Sequence, residues 1–270
     1  MCPKLFQIGP IPVYSYGLML AIGFICASYL LTKEFQRLKL NPEIASNITL
    51  IALIGGVAGS KILYLIEHWS SFIADPSIAF SPGGLTFYGG LILATFSIFM
   101  YLRKKKISFL LAADLTSPGL ILAYGIGRLG CHFAGDGDYG FPTSLPWGTN
   151  YANGTYPPSQ AFRGFSEITS QFPNNIVPDT TPCHPTGVYE FLMCALLALF
   201  LWRIRLKTKP AGKLFMVYLM AASVERFSIE FMRINPRLLF GLSEAQLIAI
   251  ALTAAGAIGF VMLARKSAQS

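Results

Sequence analysis

The chain has 270 residues, 53% of them hydrophobic and only 13% charged, with a net charge of +8. A soluble domain carries about 25% charged residues; half that share, with a mean hydropathy of +0.53, excludes an ordinary water-soluble globule. The positive residues sit in short clusters between apolar runs, which sets aside nucleic acid as a partner and reads as membrane topology.

Crossing a bilayer takes about 20 mostly apolar residues. Runs of that kind predict helices near 13–32, 47–66, 84–102, 109–133, 187–206, 212–234 and 244–264. The expected class is an all-α integral membrane protein. It is a bundle of about seven transmembrane helices in one domain, residues 1–270, with an extracytoplasmic loop cap. No basic segment, short apolar stretch and cleavage site open the chain, so no removable signal peptide is expected. In the second run Gly55, Gly56 and Gly59 favour close helix approach.

Fourteen of the 21 Lys and Arg residues lie at alternate helix ends, in the clusters 33–39, 103–106, 203–213 and 265–266. The positive-inside rule makes those ends cytoplasmic, the N-terminus external and the C-terminus cytoplasmic. The 135–186 loop then lies outside. It is rich in Gly, Pro, Ser, Thr and Asn, and its only Lys or Arg is Arg163. A loop of this length is read as a small cap over the bundle.

A charge at the centre of a transmembrane helix costs about 2.5–3.5 kcal/mol on insertion scales, so each needs a partner or a wet cavity. Arg128 closes the fourth predicted span. Arg226, Glu230 and Arg233 follow at i, i+4 and i+7 in the sixth, on one helical face. Two helices therefore bring three guanidinium groups to one depth near the outer surface. The plain alternative is an ion-pair network that fixes helix packing. Glu230 alone does not neutralise three arginines; even with Asp136 and Asp138 nearby an anionic ligand fits, and the planar fork of arginine suits phosphate. A phospholipid headgroup is the expected ligand.

Cys131-His132 and Cys183-His184 admit a zinc site, a Cys131–Cys183 disulfide or two free thiols. Neighbouring residues rarely point at one metal, and free thiols are the expectation. Asp136-x-Asp138 lacks the rest of a calcium loop. Cys26 and Cys194 lie in apolar runs as core residues. No metal is expected.

Several segments together resemble one family. They are Ile8-Gly9-Pro10, Tyr16-Gly17-Leu18-Met19, Gly83 to Leu91, Gly127-Arg128-Leu129-Gly130-Cys131-His132-Phe133-Ala134-Gly135-Asp136, His184 to Glu190, and Arg226 to Arg233. In this order the chain resembles the bacterial prolipoprotein diacylglyceryl transferases over nearly its whole length. The resemblance implies transfer of a diacylglyceryl group from phosphatidylglycerol to the lipobox cysteine thiol of a prolipoprotein signal peptide. A thioether forms and glycerol phosphate leaves, in the bacterial cytoplasmic (inner) membrane and without a cofactor. The alternative is a lipid-binding or lipid-transporting bundle derived from the family.

The expected catalytic residues are Arg128, Arg226, Tyr189, His132, His184 and Asp136. Those expected to hold phosphatidylglycerol are Arg128, Arg226, Glu230, Arg233, Tyr16, Tyr88, Gly89 and Gly90. Tyr88 stands where the family has His, Cys131 where it has Asn, Asp136 where it has Glu, and Lys61 where it has Arg. Tyrosine, with a reference pKa of about 10 against about 6.5 for histidine, is a poor base at neutral pH. Tyr88 is therefore expected to hydrogen-bond the headgroup, Gly89 and Gly90 to let the lipid approach the backbone, and His132 to replace the missing histidine.

Overall fold

The apolar runs do become helices. The computed structural model describes residues 1–81 and 83–269. A hairpin of β1 (Lys4–Ile8) and β2 (Ile11–Tyr14) comes first, turned at Gly9 with φ +58°. It leads into α1 (Ser15–Arg37), α2 (Pro42–Glu67), the short α3 (Trp69–Ala74), α4 (Phe87–Lys104) and α5 (Phe109–Ala134). The next stretch carries β3 (Thr149–Asn150), the single-turn helices α6 (Pro158–Ala161) and α7 (Ser166–Thr169), and β4 (Pro182–Cys183), which pairs antiparallel with β3. Then follow α8 (Thr186–Ile204), α9 (Lys213–Ile229) and α10 (Glu244–Gln269).

The protein is mostly helical, and α1, α2, α5, α8 and α10 are long and apolar enough to cross a membrane. Helix α4 has 18 residues and ends on Arg103 and Lys104, while α9 has 17 residues. These two fall at the margin by length and composition. The chain divides into two compact units, Ser28–Leu115 and Met1–Ala27 with Thr116–Ser270.

In the first of these, Asn41 caps α2 by accepting from Glu43 N at 2.9 Å, with Pro42 in the first turn. Leu31, Phe35, Ile44, Ala45, Ile48, Leu102, Ala112 and Leu115 form the core. Helices α2 and α4 meet through glycines. A Cβ on Gly59 would strike the Gly89 carbonyl, and one on Gly55 would lie 3.0 Å from Ala94 Cα. The close approach expected of this glycine set is present.

The same contact corrects the reading of Gly89 and Gly90. Both are buried, and the space a Cβ would take is filled by Gly59 and Leu63 at Gly89 and by Ser60 and Gly56 at Gly90. They are glycines because α2 presses on them, not to admit a lipid. Lys61 also has a local task. Its Nζ donates to the carbonyls of Ser81 at 2.9 Å and Gly83 at 2.8 Å, latching the segment before α4 to α2.

In the second unit, α8 and α9 pack against part of α5 around Ile121, Cys194, Ala198, Leu201 and Leu214. The 135–186 segment has a core of its own: Tyr139, Tyr151, Phe162, Val177 and Cys183. Tyr139 and Tyr151 stack with centroids 4.1 Å apart. The polar loop is thus a folded cap.

Candidate active site

The site begins where α5 stops. Gly135, at φ +57°, takes the left-handed conformation that ends many helices, and its N–H returns to Cys131 O at 2.9 Å. Gly137, at φ +91°, turns the chain again. Between them Asp136 Oδ1 accepts from Asp138 N at 3.2 Å, an Asx-type turn. Thr186 Oγ1 donates to Asp138 O at 2.7 Å, and Gly140 N to His184 O at 2.9 Å. These bonds fix Asp138 above the end of α5.

Asp138 Oδ2 meets Arg128 Nη1 at 2.5 Å, and Asp138 Oδ1 accepts from Arg233 Nη2. Glu190, on the first turns of α8 and fully buried, accepts from Arg233 Nη1 at 2.9 Å and from Tyr124 OH at 3.2 Å. Its Oε1 lies 3.5 Å from Arg128 Nε and 3.8 Å from Arg226 Nη1. Glu230 Oε2 lies 2.6 Å from Arg226 Nη1 and 3.7 Å from Arg233 Nε. The Arg226–Glu230 pair is close but misaligned, because neither atom makes a well-angled hydrogen bond. Arg128 also sits over the Tyr124 ring, 5.0 Å from its centroid.

Three arginines therefore face three carboxylates. The sequence-based count set Glu230 against them with Asp136 and Asp138 nearby; the structure pairs Asp138 directly and adds Glu190. The arginines are not equivalent. The Arg233 side chain is 5% exposed and enclosed by carboxylates, whereas those of Arg128 and Arg226 are 20% and 22% exposed. Arg128 and Arg226 are thus the more exposed two, with only loose contacts to the Glu190 between them.

The two cap aspartates are driven apart. Burial, then the neighbouring Asp138 charge, holds the Asp136 carboxyl above the usual carboxylate range. Burial also opposes the Asp138 charge, but Arg233 and Arg128 together outweigh it and hold that carboxyl below the range. Such a split separates a proton acceptor from a permanent anion. The Cys131 sulfur lies within 4.8 Å of a carboxylate oxygen of Asp136.

A family model for prolipoprotein diacylglyceryl transferase matches residues 3–262. The chain belongs to the prolipoprotein diacylglyceryl transferase family. The chain is similar to the phosphatidylglycerol–prolipoprotein diacylglyceryl transferase of Clostridium tetani, 33% identical over 238 residues, which covers 88% of this chain and 87% of that one. The second such transferase of Clostridium perfringens is 34% identical over 248 residues, 90% of this chain and 88% of its own. That of Gloeobacter violaceus is 30% identical over 272 residues, 99% and 94% respectively.

For a member of the prolipoprotein diacylglyceryl transferase family, the remaining site residues fall into separate groups. Tyr16 opens α1 against α5, where a Cβ on Gly130 would lie 3.2 Å from its ring. His132 Nδ1 lies 3.0 Å from Tyr151 OH, so its ring joins the cap core. His184 Nδ1 lies 3.4 Å from Tyr189 OH, which accepts from Trp147 Nε1 at 2.7 Å. Tyr88 starts α4 in the other compact unit and is 48% exposed. Arg233 is not on the sixth helix as expected: α9 ends at Ile229, and Arg233 lies beyond it, bridged to Gly140.

All five cysteines are free thiols. Cys183 is buried in the cap core, where burial pushes its thiol up to about 12. The metal-like grouping among the described residues is Cys131, Asp136 and Asp138, with ligand atoms within 4.8 Å of one another. Asp138 already spends both oxygens on arginines, whose charges oppose a cation there. The sequence reading noted Asp138 near the arginines without a role and quoted Glu190 only within the family-like segment. Glu190 carried a signal, since it is an acid near the start of an apolar span.

Proposed function

We propose that this chain is a phosphatidylglycerol–prolipoprotein diacylglyceryl transferase of the bacterial cytoplasmic membrane. It spans the bilayer seven times, with α4 and α9 as the two marginal spans. The 135–186 cap and the N-terminus lie outside, and the C-terminus is cytoplasmic. The observation that carries the reading is the partly exposed pair Arg128 and Arg226, both within 4 Å of buried Glu190. Two planar forks about one carboxylate suit a phosphodiester, and family membership supplies the chemistry.

Arg128 and Arg226 hold the phosphate. The acceptor sulfur forms a C–S bond to the terminal glyceryl carbon of the diacylglyceryl group as that carbon's C–O bond to phosphate breaks. Glycerol phosphate leaves with the electron pair, stabilised by the same two arginines. The thiol proton passes to Asp136, where burial and the Asp138 charge hold the carboxyl above the usual carboxylate range. Glu190, Glu230, Arg233 and Asp138 hold the two arginines in place. Tyr16 contacts the headgroup, and His184 with Tyr189 shapes the outer wall.

Charge balance within the cluster favours a second reading, a bundle that binds lipid without turnover. The deciding experiment supplies phosphatidylglycerol labelled in its diacylglycerol to the purified protein with a lipobox peptide. Label in the peptide is the expected result; lipid binding without label in the peptide overturns the transferase reading.

A further inference from the structure

We propose that the cavity between the cap's 164–168 segment and the strap 235–237 seats the acceptor polypeptide just beyond its modified cysteine. This rests on the transferase reading. The cavity has a volume of about 420 Å³ and is walled by Phe141, Phe165, Ile168 and Pro236, with Glu167 and Arg237 supplying an acceptor and a donor. A second cavity, of about 260 Å³, is lined by Arg226, Glu230 and the first residues of α10. Asn235 and Pro236 line both. A single strap therefore separates the outer cavity from the arginine cluster.

That strap is held firmly. Asn235 Nδ2 donates to Glu230 Oε1 at 2.5 Å. Arg237 donates to Gln246 Oε1 at 2.9 Å and to Glu230 O at 3.2 Å. Gln246 itself exchanges bonds with Ser243, as N3 and N-cap of α10 do in a capping box. A preformed wall lowers the ordering cost of binding.

The occupant follows from the reaction. The acceptor's apolar signal segment precedes the cysteine and lies in the bilayer. With the cysteine at the arginines, the residues after it leave the membrane on the cap's side. An apolar, partly aromatic cavity with one acid and one base suits side chains and peptide groups of an extended segment. A phosphate finds little there, because the one base in the lining, Arg237, is matched by the acid Glu167.

Two acceptor peptides test this, one ending at the residue after the cysteine and one extending five residues further. The protein is expected to prefer the longer by about tenfold in KM, the effect of burying one modest apolar side chain. Gly164 lines the cavity, and a Cβ there meets nothing within 4 Å. Gly164→Trp therefore fills the cavity from open space and is expected to abolish the length preference. As a second measurement, a photoreactive residue three positions after the cysteine should label the 164–168 segment. Equal KM for both peptides in the unmodified protein, an intact preference in Gly164→Trp, or label confined to other segments overturns the proposal. Failure to modify either peptide overturns instead the transferase reading beneath it.

Discussion

Asp138 and Arg128 are paired across the junction of cap and bundle, Oδ2 to Nη1 at 2.5 Å. The other oxygen of the same carboxylate takes Arg233. One loop residue therefore orients an arginine from α5 and one from beyond α9. Asp138→Asn keeps the shape and removes the charge. It is expected to lower kcat about a hundredfold, the scale of misplacing a catalytic group by an ångström, with lipid binding largely retained. Transfer of labelled diacylglycerol beside equilibrium lipid binding measures both. Full kcat in Asp138→Asn would show that the pair does not position Arg128.

The arginines should differ in kind. Arg128→Lys and Arg226→Lys retain charge but lose the fork, and both are expected to lose most turnover. Arg233, enclosed by three carboxylates, is expected to act through stability. Arg233→Ala leaves Glu190 buried without its best partner, a change that costs about 3–5 kcal/mol in buried pairs. The thermal midpoint in detergent should fall for Arg233→Ala and hold for Arg128→Lys. The reverse order would exchange the two roles.

The split between the cap aspartates sets a pH dependence. Asp136 binds its proton above the usual carboxylate range, and a base works only when deprotonated. The acid limb of kcat/KM should therefore lie above an ordinary aspartate, and activity should rise with pH through it. Asp138, held low, stays ionised across that limb. Its pairing stabilises the fold fully above the unfolded carboxylate value of about 3.9 and fades only as pH falls through its lowered folded value. Asp136→Asn should abolish the limb together with most activity. A limb that persists in that variant assigns it to another group.

Long elements were legible because about 20 apolar residues in a row admit few other readings in a membrane protein. The run expected over 109–133 is the helix Phe109–Ala134. The hairpin at 4–14 was not legible, since its short apolar strands give the same composition as the helix that follows. Arg226, Glu230 and Arg233 were correctly grouped for a partly mistaken reason. The 3.6-residue period was extended past Ile229, where the helix ends and turns alone carry Arg233 inward. Asp138 reaches the site through the positive φ of Gly135 and Gly137, which no periodicity records. Glu190 fell under the rule that exposed the arginines and Glu230, an ionisable group in an apolar span, and the rule was not applied to the start of the 187–206 run.

The helix contact in the other unit gives a sharp contrast between neighbouring glycines. A Cβ on Gly59 collides with backbone of α4, and one on Gly56 meets nothing within 4 Å. Gly56→Ala is expected to leave the thermal midpoint unchanged, while Gly59→Ala lowers it by several degrees. Equal midpoints for the two variants would mean that α2 and α4 do not meet on this face.

The missing family histidine poses the last test, in three variants. Tyr88 sits half-exposed at the start of α4, and the sequence reading expects its hydroxyl to hydrogen-bond a headgroup. Tyr88→Phe should then raise KM for phosphatidylglycerol severalfold, the loss of about 1 kcal/mol for one hydrogen bond, and leave kcat near its original value. His132 lies within hydrogen-bond reach of Tyr151 OH in the cap core. His132→Ala leaves that buried hydroxyl unsatisfied, so it should lower the thermal midpoint as well as activity while keeping the acid limb of the rate profile. Asp136→Asn should lose kcat and the limb together without a comparable fall in stability. The limb separates the assignments: its disappearance in His132→Ala would return the proton to the histidine, and a collapse of kcat in Tyr88→Phe would return it to the residue standing in the family histidine's place.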